Sequence, residues 1–168
     1  HSSSGGMTEN SQDVWKNQYP YLSSVRDFDK TNPKLHWKKI LSNKKLQKLF
    51  PKIGAIKNIE ILNITETGRI KSAKLFGEYG SYEISGVDLR RKMALKSTFV
   101  RFKIIEDKKN NNSEPEIIFL VIGKGSGHGV GMSQWGAKYM ASNGQKAESI
   151  LKYFYRGVEI KPFQDDFL

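Results

Sequence analysis

Gly123-Lys-Gly-Ser-Gly-His-Gly-Val-Gly-Met-Ser-Gln-Trp-Gly-Ala137 is the stretch on which the reading of the fold turns. Glycine stands at 123, 125, 127, 129 and 131, directly after the apolar run Ile117-Ile-Phe-Leu-Val-Ile122. That run predicts a buried strand, and the residues from Met132 onward predict a helix. A strand therefore enters a stretch with no side chain on one face, against which a backbone, a ring or a ligand can lie. If the stretch stays extended, Lys124, Ser126, His128 and Val130 share the other face. Phosphate is the usual ligand of such loops, but the spacing argues against it. GxGxxG begun at 123, 125 or 127 needs glycine where His128, Val130 or Met132 stands. A Walker loop ends in Gly-Lys-Ser/Thr, and this one ends in Gly-Met-Ser.

Downstream, Met132, Trp135, Gly136, Tyr139 and Met140 recur at helical spacing, and Asn143-Gly144 reads as a left-handed stop. A second helix over 145–155 turns Ala147, Ile150, Leu151 and Phe154 to the core. Upstream, residues 98–105 alternate as a strand, and 106–115 form a polar loop. Residues 59–64 and 69–76 make a hairpin with Gly68 at its turn, followed by a strand over 79–84. Ser85 opens a short helix that offers Val87, Leu89, Met93 and Leu95 to the core. Asn32-Pro33 starts, and Pro51 stops, a basic amphipathic helix with the stripe Leu35, Ile40, Leu41, Leu46 and Leu49. The expected fold class is α+β: an antiparallel-leaning sheet with packed helices, and a C-terminal helical pair after the glycine-rich loop. The organisation is an irregular segment over 1–30 anchored by Trp and Tyr, a domain over 31–160, and a tail over 161–168.

The 168 residues suffice for one domain with a real core, and no apolar stretch is long enough to span a membrane. With no cysteine, disulfides and thiolate zinc sites are excluded within this sequence. The net charge of +11 suits a polyanion: nucleic acid, an anionic membrane or an acidic wall glycan. A generally basic surface explains it equally well. The nucleic-acid reading rests on charge alone, and no nucleic acid is expected as a partner.

Three strings then carry a family resemblance. Residues 126–137, Met140-Ala-x-x-Gly144 and Ile150-Leu-Lys-Tyr-Phe-Tyr-Arg-Gly157 resemble the C-terminal signature of the stage II sporulation protein D (SpoIID)/LytB family. Ser85-Gly-Val-Asp-Leu-Arg-Arg and Leu95-Lys-Ser-Thr-Phe99 are similar to its middle motif. His1-Ser-Ser-Ser-Gly-Gly-x-Thr-Glu9, which alone would pass for a tag remnant, is similar to an earlier segment. The resemblance implies the C-terminal portion of a peptidoglycan lytic transglycosylase. Its substrate would be denuded glycan strands, cut to 1,6-anhydromuramoyl ends beside a cell-wall amidase during engulfment. The alternative is a LytB-like amidase enhancer or wall-binding module. The family's catalytic glutamate and membrane anchor are expected upstream of His1. The intact protein is therefore expected outside the cytoplasm, in the intermembrane space of the sporangium, and this fragment alone soluble and inactive. His1 matches a histidine that binds zinc in some members, but no cysteine follows it, so no metal and no cofactor are expected.

A cleft for sugar would draw on the glycine stretch. Gly127 and Gly129 let a ring approach the backbone, while His128, Ser133 and Gln134 can bond hydroxyl or acetamido groups. Trp135 or Tyr139 can stack. Each has a plainer role: His128 bonding its own loop, Ser133 capping the helix, and Trp135 and Tyr139 filling the core. A Ser–His nucleophile pair lacks an orienting acid nearby. Glu83 and Glu148 have no surroundings that would raise a carboxyl pKa.

Overall fold

A computed structural model describes residues 1–107 and 116–162, so most of the loop read at 106–115 and the tail from 163 lie outside the described residues. Short helix α1 (Gln12–Trp15) precedes β1 (His36–Ser42) and α2 (Asn43–Leu49). Next come the meander β2 (Ile56–Ile64), β3 (Ile70–Gly77) and β4 (Gly80–Ser85), then α3 (Gly86–Lys92). Strands β5 (Val100–Asp107) and β6 (Glu116–Lys124) lead to α4 (Gln134–Ser142) and α5 (Ala147–Phe154). The strands form two antiparallel sheets, β1-β6-β5 and β2-β3-β4. The α+β expectation holds, with two sheets where one was read.

Both sheets feed one core. Leu41, Val100, Phe119 and Val121 come from the first, Ile56, Ala73, Leu75 and Ile84 from the second, and Leu46 and Leu89 from α2 and α3. A smaller cluster joins Val25 to Met140, Ile150 and Phe154, so the irregular N-terminal residues pack on the C-terminal helices.

The helix expected over 33–50 is half wrong. Its first part is strand β1, in which Trp37 and Leu41, like Leu35 just before it, face inward and Ile40 is 67% exposed. Counting Ile40 as core produced an apparent helical stripe from what is a period-two pattern. Lys39 also faces inward, where its Nζ donates to the carbonyls of Met93 (2.9 Å) and Ala94 (2.7 Å) just past α3. Those are carbonyls a helix end leaves without partners. Ser42, read as mid-helix, is the cap of α2, its hydroxyl accepting from Lys45 N at 3.3 Å. Three core assignments also change: Val87 and Ala147 are exposed and Leu151 is half-buried. The cap at Ser85 and the hairpin around Gly68 form as read.

This register predicts opposite outcomes for adjacent residues. Leu41→Ala should lower stability by about 2–5 kcal/mol, whereas Ile40→Ala should change it by no more than about 0.5 kcal/mol. Urea denaturation of the two variants checks it.

Candidate functional site: a cleft beside the glycine loop

The glycine stretch is not extended. Gly125, Gly127, Gly129 and Gly131 have φ of +75°, +111°, +89° and +70°, a region that side chains resist. Val130 is consequently buried and does not share an open face with His128. The space left by the missing side chains is filled by the protein itself. Ser2 and Ser3 N–H donate to Ser126 O (3.1 and 3.2 Å), Ser126 N–H returns a bond to Ser3 O (2.7 Å), and Glu9 N–H donates to Gly129 O (2.8 Å). A Cβ on Gly127 would lie 2.6 Å from that of His1, and one on Gly129 would lie 3.0 Å from the Arg69 guanidinium. At the start of α4, Gln134 N–H donates to His1 O (3.0 Å) and Trp135 N–H to Ser2 O (3.1 Å).

Two buried aspartates hold the same segment from the other side. Asp27 accepts from Ser4 N (3.2 Å), from the Ser4 hydroxyl (2.5 Å) and from the Ser133 hydroxyl (2.8 Å). Burial raises its pKa nonetheless, against the lowering effect of the serine hydroxyls. Asp29 accepts from the Ser3 hydroxyl and from Gly5 N (2.7 Å). Arg69, 2% exposed, donates to the carbonyls of Ser4 and Met7, the latter at 2.8 Å, and to the Thr67 hydroxyl at 2.6 Å. It also faces the Glu9 carboxylate at 3.6 Å. Burial depresses its pKa, and Glu9 counters that most.

Over this scaffold lies a cleft of about 580 Å³, lined by Glu9, Trp15, Arg69, Lys71, Arg90 and His128 among others. The Trp15 ring, 45% exposed, leans against His128 with centroids 5.2 Å apart. A 2.8 Å ion pair from Asp13 to Lys71 ties α1, which carries Trp15, to β3. His128 Nδ1 accepts from Val130 N–H at 3.1 Å, so in this geometry the ring is neutral and Nε2 carries the proton. Burial pushes its pKa below the ordinary value.

Of the residues read from the sequence as sugar-binding, only His128 lines this cleft. Gly127 and Gly129 stand against His1 and Arg69. Ser133 is fully buried; its hydroxyl accepts from Gly136 N (2.8 Å) while donating to Asp27, which is the capping role. Gln134 is exposed, Trp135 lies under the Lys138 ammonium (4.7 Å), and Tyr139 stacks on Phe28 at 5.7 Å. Glu9, Trp15 and Arg69 were not read as site residues. A signal for Glu9 and Arg69 was the polar turn Thr65-Glu-Thr-Gly-Arg69, whose threonine hydroxyls at 65 and 67 donate to Glu9 at 2.7 and 2.5 Å.

His1 Nδ1 lies 3.1 Å from Val130 O, while its Nε2 is buried without a partner. Among the described residues no group of three or more His, Cys, Asp or Glu surrounds a metal position. The described residues do not bring a zinc ligand set to His1.

The strings that suggested a family extend along almost the whole chain. It is 34% identical to stage II sporulation protein D of Bacillus subtilis over 162 residues, covering 95% of this chain and 43% of that protein. It is also 34% identical to stage II sporulation protein D of Bacillus amyloliquefaciens over 170 residues, covering 99% and 45%. The amidase enhancer of Bacillus subtilis is 29% identical, with 96% of this chain and 29% of that protein aligned. No protein-family model matches the chain. The chain and these relatives thus share one homologous segment. Over the segment they share, the chain belongs with stage II sporulation protein D and the amidase enhancer. It spans less than half the length of these relatives.

Two outcomes follow. Arg69→Met, which strands the Glu9 carboxylate in the interior, should cost about 3–5 kcal/mol in urea denaturation, and adding Glu9→Gln should recover part of it. Because the folded protein resists protonation of His128, its contribution is complete above the ordinary value of 6.5 and is lost progressively as pH falls from there through the lowered folded value. Urea midpoints measured from pH 7.5 to 5.5 should decline more steeply in the parent chain than in His128→Gln.

Proposed function

We propose that this chain is the glycan-binding part of a peptidoglycan lytic transglycosylase of the SpoIID type, acting outside the cytoplasm on glycan strands stripped of their peptides. The observation that carries the proposal is the cleft beside the glycine loop. An exposed indole, Trp15, stands over a trough with Arg90 at its wall. An indole face suits the C–H face of a pyranose ring. The Arg90 guanidinium suits the lactyl carboxylates that denuded strands expose.

In this reaction a carboxylic acid protonates the glycosidic oxygen as the C1–O bond breaks. The resulting carboxylate then takes the proton of the muramoyl C6 hydroxyl, whose oxygen closes on C1. Acid is regenerated, and no water enters the product. Among the described residues of the cleft the carboxylates are already engaged. Glu9 accepts from two threonine hydroxyls, Asp13 pairs with Lys71, and Asp88 takes both Arg91 and the Ser85 hydroxyl. Glu83 and Glu148 are exposed and paired with Lys74 and Lys152. The proposal accordingly assigns the acid to sequence outside these residues, and to this chain the task of holding the sugar. No helix among the described residues is long and apolar enough to cross a membrane.

That same engagement of carboxylates favours a second reading, a non-catalytic module that binds wall glycan or assists a wall amidase. Incubating denuded strands with this chain, and with a version extended upstream, separates the two. Mass spectrometry should find 1,6-anhydromuramoyl ends with the longer form only. Binding with products from neither form supports the second reading. Under both, Trp15→Ala should weaken glycan binding by roughly tenfold or more in a pull-down titration.

A further inference from the structure

The outer face of the first sheet carries an apolar column that no described element covers. Register places Lys38, Ile122 and Arg101 side by side across the three strands, and Ile40, Leu120 and Lys103 in the next row. Ile40 is 67% and Ile122 42% exposed, and Lys38, Arg101 and Lys103 are exposed around them. None of the residues at 36–42, 101–105 or 117–124 is acidic. At one end the face runs into a hollow of about 420 Å³ walled by His36, Lys124, Lys30 and the buried Asp29.

The shape and the charge select the occupant. Lysine and arginine reach further from the sheet than isoleucine or leucine, so Leu120 and Ile122 form the floor of a trough rimmed by Arg101 and Lys103 on the β5 side and by Lys38 and Ile40 on the β1 side. A flat bilayer would meet the rims first and leave the floor untouched. A second copy of this chain would bring cations against cations. A helix fits: the three strands span about 10 Å, close to the diameter of a helix, and side chains two apart on β6 are about 6.7 Å apart, near the about 6 Å between i and i+4 positions. We propose that this face is the docking surface for an acidic amphipathic helix of a protein partner, its apolar stripe on Leu120 and Ile122 and its carboxylates against Lys38, Arg101 and Lys103.

The probe is a capped synthetic helix with a leucine stripe flanked by glutamates, titrated into the isotope-labelled 168-residue chain. Amide shifts should concentrate at 38–40, 101–103 and 118–122. Ile122→Glu and Lys103→Glu should each weaken binding about tenfold or more, with an unchanged urea midpoint. An isomer with lysines for glutamates should not bind. The proposal is overturned by an absence of shifts at millimolar peptide, or by shifts that ignore these substitutions. It is equally overturned if the face instead mediates self-association in sedimentation, or binding to phosphatidylglycerol vesicles, and Ile122→Glu abolishes it.

Discussion

A single buried guanidinium holds the site region together. Arg69 sits where β3 leaves its turn, and from there it reaches two carbonyls of the N-terminal segment, a threonine hydroxyl and the Glu9 carboxylate. Removing a cation from water is costly unless its charge and donors are answered, and here three hydrogen bonds and the Glu9 carboxylate do so. Glycine at 129 is the counterpart of that arrangement, since a side chain there would press on the guanidinium. The positive φ angles of the loop, the path of residues 1–9 and the floor of the cleft are therefore consequences of one another. Asp27 and Asp29 complete the enclosure with acceptors for serine hydroxyls and backbone donors. Arginine suits this position because its planar fork points several donors in fixed directions at once.

Elements with a strong local signal were legible. The hairpin with Gly68, the cap at Ser85, the strand before the glycines and the left-handed residue at Gly144 all form as their residue chemistry requires. What failed was a choice between two periods. Leu35, Trp37 and Leu41 alternate, but Leu41, Leu46 and Leu49 also mimic a helical stripe, and only the sheet partner β6 decides between them. Two sheets in place of one lay beyond reach for the same reason. Strand order is a fact about pairing across 80 residues and more, as between His36 and Lys124.

The site was less legible than the fold. The bareness of the glycine loop was read as room for a sugar, and the protein's own N-terminal segment occupies it. Periodicity says which side of a segment is empty and nothing about what fills it. Ser133 is the instructive case: a serine at a helix start is chemically able to bond a ligand or the helix, and its burial beside Asp27 assigns it to the helix. Glu9 and Arg69 escaped notice because a charged residue looks the same in a sequence whether it is solvated or enclosed. Their distinguishing property is a partner 60 residues distant (69 − 9).

The closure of residues 1–3 onto 126 and 133–135 also bears on how the chain acquires its shape. During synthesis the serine-rich segment leaves the ribosome long before Ser126 or α4 exists, so none of its hydrogen bonds to that region can form. Meander β2-β3-β4 is built from neighbours and can pair early, whereas β1 must wait for β6. Contacts of such span carry the full entropy of loop closure before they return any stabilisation. Vectorial synthesis therefore yields a chain whose middle matures first and whose cleft, joined from both ends, assembles last.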